Sequence, residues 1–396
     1  MSIFNSIQII LLILLGLATL YILVFSTAGL FYKQQAFTAT DKLLKIAVLI
    51  PGYQEDEVIL EAARSALQQK YPMSLFDVVV IADSFKQDTL DSLRKYPVKV
   101  IEVMFDKSTK ARALNAAMFS LSEAYDVAVV LDADNIMEPG FLTKISAPIA
   151  QGYMAVQGHR TAKNTNNSWA ILDAVSEEIN NHIFRKGHRV LGLSSAIIGS
   201  GMAFNYNYFK SLMLTVTAVG GFDKEIELKM LKQGHKIMYL NNAVVYDEKV
   251  QKAEVFGNQR RRWLSAQFHY FRKDILSASL HLITKGNVDY FDKAIQFIQP
   301  PRILLLGAVG IFGTLFITVN LLVGNQFLLT GLWIGITSAC LLSFSFSIPR
   351  SLYNMGTLKA LVSLPRGMLT MLISLLKIKG ANKKFIHTKH TATSQP

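Results

Sequence analysis

Three long apolar runs stand out along the chain. Residues 7–31, 303–324 and 327–348 contain no charged side chain. At about 1.5 Å of rise per residue, each is long enough to cross a hydrocarbon core of roughly 30 Å as a helix. The first lacks a basic start and a small-residue cleavage site, so it reads as an anchor rather than a cleaved leader. Between the first and second runs the pattern changes. Short apolar, β-branched stretches (46–51, 77–82, 98–103 and 127–131) alternate with stretches of helical spacing (55–70, 88–95 and 110–125). That alternation predicts a mostly parallel sheet covered by helices on both faces.

The pattern is less regular further on. Strands are expected at 153–157 and 236–246, and helices at 169–185, 223–233 and 258–273, with Gly234 closing the second of these. Segment 290–302 reads as amphipathic and expected to lie on a membrane surface before the second span. Residues 358–378 are apolar but hold Lys359, Pro365, Arg366 and Lys377. An interfacial helix is the preferred reading there, and a further crossing is the alternative. The organisation expected is therefore a membrane helix (1–31), a linker (32–44), a cytoplasmic α/β domain (45–288), an interfacial segment (289–302), two membrane helices (303–324 and 327–348), and an interfacial helix with a basic tail (349–396).

Composition agrees with a membrane protein: 51% of residues are hydrophobic and the mean hydropathy is +0.29. The net charge of +13 raises the question of a nucleic-acid partner. Its placement argues against one, because the cations flank the apolar runs: Lys33, Lys42, Lys45, Arg302, Arg350, Lys359, Lys377, Lys379, Lys383 and Lys384. Such placement is the positive-inside pattern, with attraction to anionic lipid. It puts the middle region in the cytoplasm, and the N-terminus and the short loop 324–326 outside, in an inner or plasma membrane of bacterial type. The single cysteine, Cys340, lies in an apolar run, so no disulfide framework exists.

Candidate chemistry centres on Asp132-Ala133-Asp134, which follows the apolar strand 127–131. Ligands bind at strand ends in open α/β sheets, and alternation sends both carboxylates to the same side. A hard divalent cation such as Mg²⁺ or Mn²⁺ takes carboxylate oxygens and often a substrate phosphate as well. A solvated turn is the plainer alternative for an isolated Asp-x-Asp. Lys110 opens a helix, where a phosphate also meets backbone N–H groups. Gly199-Ser200-Gly201 marks a turn where backbone can approach a ligand closely. The histidines, among them His159, His182, His188 and His235, show no metal-ligand spacing.

Five stretches, in order, resemble the membrane-integrated processive enzymes of glycosyltransferase family 2, the group of cellulose, hyaluronan and poly-N-acetylglucosamine synthases. They are Val48-Leu49-Ile50-Pro51-Gly52-Tyr53-Gln54-Glu55, Ile81-Ala82-Asp83-Ser84, Lys110-Ala111-Arg112-Ala113-Leu114-Asn115, Asp132-Ala133-Asp134 and Gln259-Arg260-Arg261-Arg262-Trp263. The resemblance covers about residues 45–302. It implies a GT-A-like α/β fold and an inverting transfer from a UDP-sugar donor to a growing polysaccharide or lipid-linked glycan. It implies nucleotide-sugar contacts at Pro51, Tyr53, Glu55, Asp83, Lys110, Asp132, Gln259 and Arg262. Asp134 would be the direct metal ligand, with Asp132 reaching the ribose or the metal. Trp263, Gly199, Ser200 and Gly201 would face the acceptor. One element departs from the family. Where it shows Glu-Asp at the catalytic base, this chain has Phe222-Asp223. Spacing to Gly234 assigns the base to Asp223, and a slip would shift it to Glu225 or Glu227. Two other functions fit the same residues: a single-transfer enzyme on a lipid-linked acceptor, and a catalytically silent nucleotide-sugar-binding subunit of an export complex. The partners expected are the donor, the acceptor, membrane lipid, and an export protein or further copies of this chain.

Overall fold

The computed structural model describes residues 3–37, 43–122, 124–218, 220–324 and 326–377. Lys42 of the expected linker, Asn325 of the loop 324–326, and the tail cations Lys379, Lys383 and Lys384 lie outside the described residues. After α1 (Ile3–Gly29) the chain runs β1 (Ile46–Tyr53), α2 (Ile59–Ala66), β2 (Phe76–Asp83), α3 (Gln87–Leu93), β3 (Lys99–Val103), α4 (Lys110–Ser120) and β4 (Val127–Val130). Next come β5 (Ile136–Met137), α5 (Phe141–Ala150), β6 (Ala155–Ala162), α6 (Ser168–Asn181), a π-helical turn (His182–Gly187), α7 (His188–Val190), β7 (Met202–Asn205), α8 (Tyr206–Met213), α9 (Phe222–Lys232) and β8 (Ile237–Asp247). The helices α10 (Ala253–Lys285), α11 (Val288–Ile298), α12 (Arg302–Val323), α13 (Phe327–Ser347), α14 (Met355–Ala360) and α15 (Leu364–Leu376) complete it.

The strands form one sheet in the order β3-β2-β1-β4-β7-β6-β8-β5. β1 to β4 pair in parallel, as their alternation with helices requires. The sheet is nonetheless mixed. β7 runs antiparallel to both β4 and β6, and β5 runs antiparallel to β8. A short antiparallel strand needs no helical crossover, which is why the helix–strand alternation does not announce it. One face is packed by Leu114 of α4, Phe209 of α8 and Ile226 of α9. The other is packed by Ile59 of α2 and by Phe141, Leu142 and Ile145 of α5. The helices α5 and α8 were not among the sequence expectations, and α10 is longer than the expected 258–273.

Among the described residues, four helices are long and apolar enough to cross a membrane: Ile3–Gly29, Arg302–Val323, Phe327–Ser347 and Met355–Leu376. The fourth is broken by a 3₁₀ turn at Leu361–Ser363. It rests on the α/β domain at two points: Ile171 of α6 beside Gly356, and Gly257 of α10, whose carbonyl accepts from Ser374 Oγ at 3.1 Å. Segment 290–302 was expected on the membrane surface, but α11 buries Asp289, Asp292, Lys293 and Gln296. Its polar side chains find partners inside the protein, so protein contacts satisfy its amphipathic pattern.

α1 is seated against the π-helical turn. The His182 Nε2 lies 2.7 Å from the Ser26 carbonyl oxygen, and the Phe25 and His188 rings stack with centroids 3.7 Å apart. Gly187 permits this approach, since a methyl there would overlap the Phe25 carbonyl. Gly187→Ala should therefore lower stability by about 1–3 kcal/mol, the usual cost of overpacking. Thermal unfolding in detergent checks this against Gly331→Ala in α13, where an added methyl meets nothing within 4 Å and the melting point should hold.

Candidate functional site

The parallel strands deliver their carboxyl ends to one edge, and a cavity of about 420 Å³ opens there. That is the size of a small-molecule site. β1 ends at Tyr53 and β2 at Asp83, which are register partners, and the Gln54 N–H donates to the Asp83 carbonyl at 3.0 Å. Gln54 and Ser84 leave these strands with φ of 54° and 59°. Left-handed backbone at non-glycine residues costs on the order of 1–3 kcal/mol and tends to gather at binding sites. Pro51, Tyr53, Glu55, Asp83, Lys110, Asp132, Asp134, Gly199, Asp223, Gln259, Arg262 and Trp263 all line the cavity.

Ser200 and Gly201 do not line it. Ser200 is buried. Its Oγ accepts from the Asp132 N–H at 2.8 Å and donates to Asn135 Oδ1 at 2.6 Å. Gly201, at φ 61°, backs onto Val245. These two shape the strand end from behind, and of the three only Gly199 faces the cavity.

Asp132 and Asp134 are joined by a third carboxylate. One oxygen from each of Asp132, Asp134 and Asp247 falls within 4.8 Å of the others. Asp247 is the last residue of β8, and the pairing Ile136↔Tyr246 between β5 and β8 carries it to the aspartates. Asn135 bridges them, its Nδ2 donating to Asp134 Oδ1 at 3.1 Å and to Asp247 Oδ1 at 3.0 Å. An all-oxygen carboxylate set of this kind suits Mg²⁺ or Mn²⁺.

Behind the carboxylates lies a buried ionic network. Lys249 Nζ contacts Asp247 Oδ2 at 2.8 Å, and Arg160 reaches Glu177 at 2.9 Å and Asp247 at 3.8 Å. Arg185 reaches Glu177 at 3.4 Å. Burial alone would push the Glu177 carboxyl up, but Arg160, Lys249 and Arg185 outweigh it and hold the group well below the usual carboxylate range. For Asp247 burial is likewise overcome, by Arg160 and Lys249.

The other wall comes from α4, α9 and α10. Lys110, first in α4, pairs with Asp132 and donates to the Gly199 carbonyl at 2.6 Å. Its Nζ lies 5.4 Å from the centroid of the Phe222 ring. Asp223, the second residue of α9, does not cap the helix; Gly221, at φ 70°, occupies that position. Gly199 packs against it, since a methyl there would sit 3.9 Å from Asp223 Cβ and Cγ. Glu225 is instead buried in contact with Lys229 at 2.8 Å and does not line the cavity. Arg262 faces both Asp132 and Asp223. Burial draws its guanidinium below the ordinary value, and those two carboxylates oppose the shift. Arg260, which the sequence did not single out, pairs with Asp173 and lies over the Trp263 ring at 4.5 Å. Trp263 is therefore half-buried at the cavity edge with one face against a cation.

The model of the family described as glycosyltransferase like family 2 matches residues 44–266. Probable glycosyltransferase YdaM of Bacillus subtilis (strain 168) is 24% identical over 232 residues, which is 56% of this chain and 55% of that protein. The chain thus spans about half the length of the curated relative it matches. Among solved structures, the fold is similar to mannosyltransferase PcManGT from Pyrobaculum calidifontis, in complex with GDP-Man and Mn²⁺. The TM-score is 0.52 at 17% identity, over 86% of this chain and 96% of that one. GalNAc-T7, with UDP, GalNAc and Mn²⁺, aligns over 53% of this chain and 44% of its own at 16% identity, with a TM-score of 0.42.

The network sets a pH limit. Carboxyls held below their unfolded value of about 4 contribute stability above that pH and lose it as pH falls through their folded value. Glu177 and Asp247 are such groups, so the α/β domain should lose stability progressively below about pH 4. Glu177→Ala, which takes the carboxylate from Arg185 and leaves Arg160 with Asp247 alone, should cost about 3–5 kcal/mol at neutral pH. Thermal unfolding of both proteins across pH 3–8 checks this: the variant should start lower and show a flatter acid limb.

Proposed function

Because the chain belongs to glycosyltransferase family 2, we propose that it is an inverting glycosyltransferase. In this reading it works at the cytoplasmic membrane face, moving a sugar from a UDP-sugar donor to a growing polysaccharide or lipid-linked glycan. The observation that carries the reading is the meeting of Asp132, Asp134 and Asp247 with Lys110, Arg262 and Asp223 around one cavity beside apolar helices.

Tyr53, Glu55 and Asp83 hold the nucleoside at the strand ends. Asp132 and Asp134, with Asp247 as third carboxylate, hold a Mg²⁺ or Mn²⁺ ion. The ion supplies charge neutralisation for the leaving diphosphate. Arg262 and Lys110 add the protein's own cations, and a guanidinium suits two phosphate oxygens at once. Asp223 takes the proton from the acceptor hydroxyl while that oxygen attacks the anomeric carbon and the nucleoside diphosphate leaves from the opposite face. Trp263 and Gly199 border the acceptor.

PcManGT was solved with GDP-Man, so GDP-mannose belongs in any donor screen alongside UDP-sugars. The test is to incubate purified protein in lipid with each donor and Mn²⁺, and to follow nucleoside diphosphate release and product mass. Release from a UDP-sugar supports the reading. A ladder of masses means polymerisation, and a single increment means one transfer. No release from any donor, in protein that binds UDP, favours the silent subunit.

Two variants test the roles. Asp134→Ala should abolish turnover in Mg²⁺ or Mn²⁺, and full activity of that variant in chelator would remove the metal assignment. Asp223→Asn should lose on the order of a hundredfold in kcat or more while UDP still binds. Glu225→Gln should leave kcat close to wild type, and the reverse ranking would move the base to Glu225.

A further inference from the structure

The cavity does not stop at Asp223. It continues along α9, where Glu227, Ile197, Lys293, Gln296 and Phe297 also line it. Glu227 stands one helical turn past Asp223, about 6 Å further along the axis. It is 2% exposed, yet it borders the cavity. Both of its polar contacts fall on Oε1: an ion pair with Lys293 Nζ at 2.8 Å and a hydrogen bond from the Ile197 N–H at 3.3 Å. Among the described residues none donates to Oε2. Lys293 is itself held, donating to Gln296 Oε1 at 2.6 Å, and Gln296 Nε2 donates to Asp292 Oδ2 at 2.8 Å. The carboxylate is thus pinned by one oxygen, with acceptor capacity left on the other.

Charge around Glu227 decides what this part of the cavity takes. The lining cations Lys293, Lys224 and Arg185 are already paired with Glu227, Asp223 and Glu177. Among the described residues here, a phosphate would meet only cations that already hold a carboxylate, and it would face Glu227 itself. A sugar hydroxyl would meet Oε2 of a carboxyl that burial pushes upward and the Lys293 ammonium at 2.8 Å draws back; paired with that ammonium it accepts as a charged group, and such hydrogen bonds are among the stronger ones. Phe297 adds an apolar edge for the ring.

We infer that Glu227 is an acceptor-recognition residue, its Oε2 accepting a hydrogen bond from a hydroxyl of the acceptor, which is a neutral, hydroxyl-rich glycan end rather than a bare lipid phosphate. The inference rests on the transferase reading above and adds the acceptor's chemical class to it.

The test measures binding to full-length protein in detergent, with UDP and Mn²⁺ present. The probes are cellotetraose and chitotetraose as neutral glycans and farnesyl phosphate as an anionic lipid. At least one tetrasaccharide should bind saturably. Glu227→Gln should weaken it about tenfold, the scale of one hydrogen bond to a charged group, with UDP affinity held within about twofold. Since that variant also leaves Lys293 without its carboxylate, the double variant Glu227→Gln/Lys293→Gln is measured beside it. Recovery of the melting point without recovery of glycan affinity supports recognition. Recovery of both shows a merely structural ion pair and overturns the inference. So does unchanged glycan affinity in Glu227→Gln, the lack of saturable glycan binding in protein that binds UDP, or tight farnesyl phosphate binding that Glu227→Gln strengthens. Failure of the wild type to bind UDP would overturn the donor reading along with it.

Discussion

Carboxylates crowded at one strand end repel each other, and the site depends on how this fold contains that repulsion. Asp132, Asp134 and Asp247 approach within 4.8 Å. Like charges at that distance raise one another's proton affinity unless cations or hydrogen bonds intervene. Here Lys110 takes Asp132, Asn135 spans Asp134 and Asp247, and Lys249 with Arg160 holds Asp247 ionised. Glu177 keeps the cations behind Asp247 from becoming a surplus. The result is an acidic face toward the cavity with a balanced ionic layer beneath it. Each group in that layer is buried, so removing any one leaves an uncompensated charge.

The same layer ties the site to the apolar helix α1. Glu177 lies on α6, which runs into the π-helical turn; that turn carries the His182 contact to the α1 backbone, and His188, first in α7, carries the ring contact to Phe25. On the other side, Tyr21 of α1 donates to Asp292 at 2.7 Å, and Asp292 belongs to the chain of bonds reaching Lys293 and Glu227. π-helical turns often occur at functional positions. Here one sits where α1 presses closest, with Gly187 against the Phe25 carbonyl.

Much of this was legible beforehand, for identifiable reasons. The β-branched runs ending in Tyr53, Asp83 and Asp132 carry their own signal, because strands buried on both faces must be continuously apolar. The spans announce themselves by length, and Asp223 by its distance from Gly234. Asp247 was hidden because it meets Asp134 only through β5, a strand of two residues with no periodicity to detect. The expected strand 236–246 stopped one residue short of it. The buried partners Arg160, Glu177 and Lys249 were hidden for a related reason: a charged residue reads as solvent-facing until its counter-charge is placed beside it. The amphipathic pattern of α11 was visible, but pattern alone cannot tell lipid from protein as the neighbour.

If the aspartate cluster holds a divalent ion together with a nucleoside diphosphate, the two should bind as one. Calorimetric titration of UDP into the full-length protein with Mn²⁺ and with chelator measures this. UDP should bind saturably in Mn²⁺ and more weakly by an order of magnitude or more in chelator, with no such difference once Asp134 is replaced by Ala. Equal UDP affinity with and without the ion in the wild-type protein would contradict it.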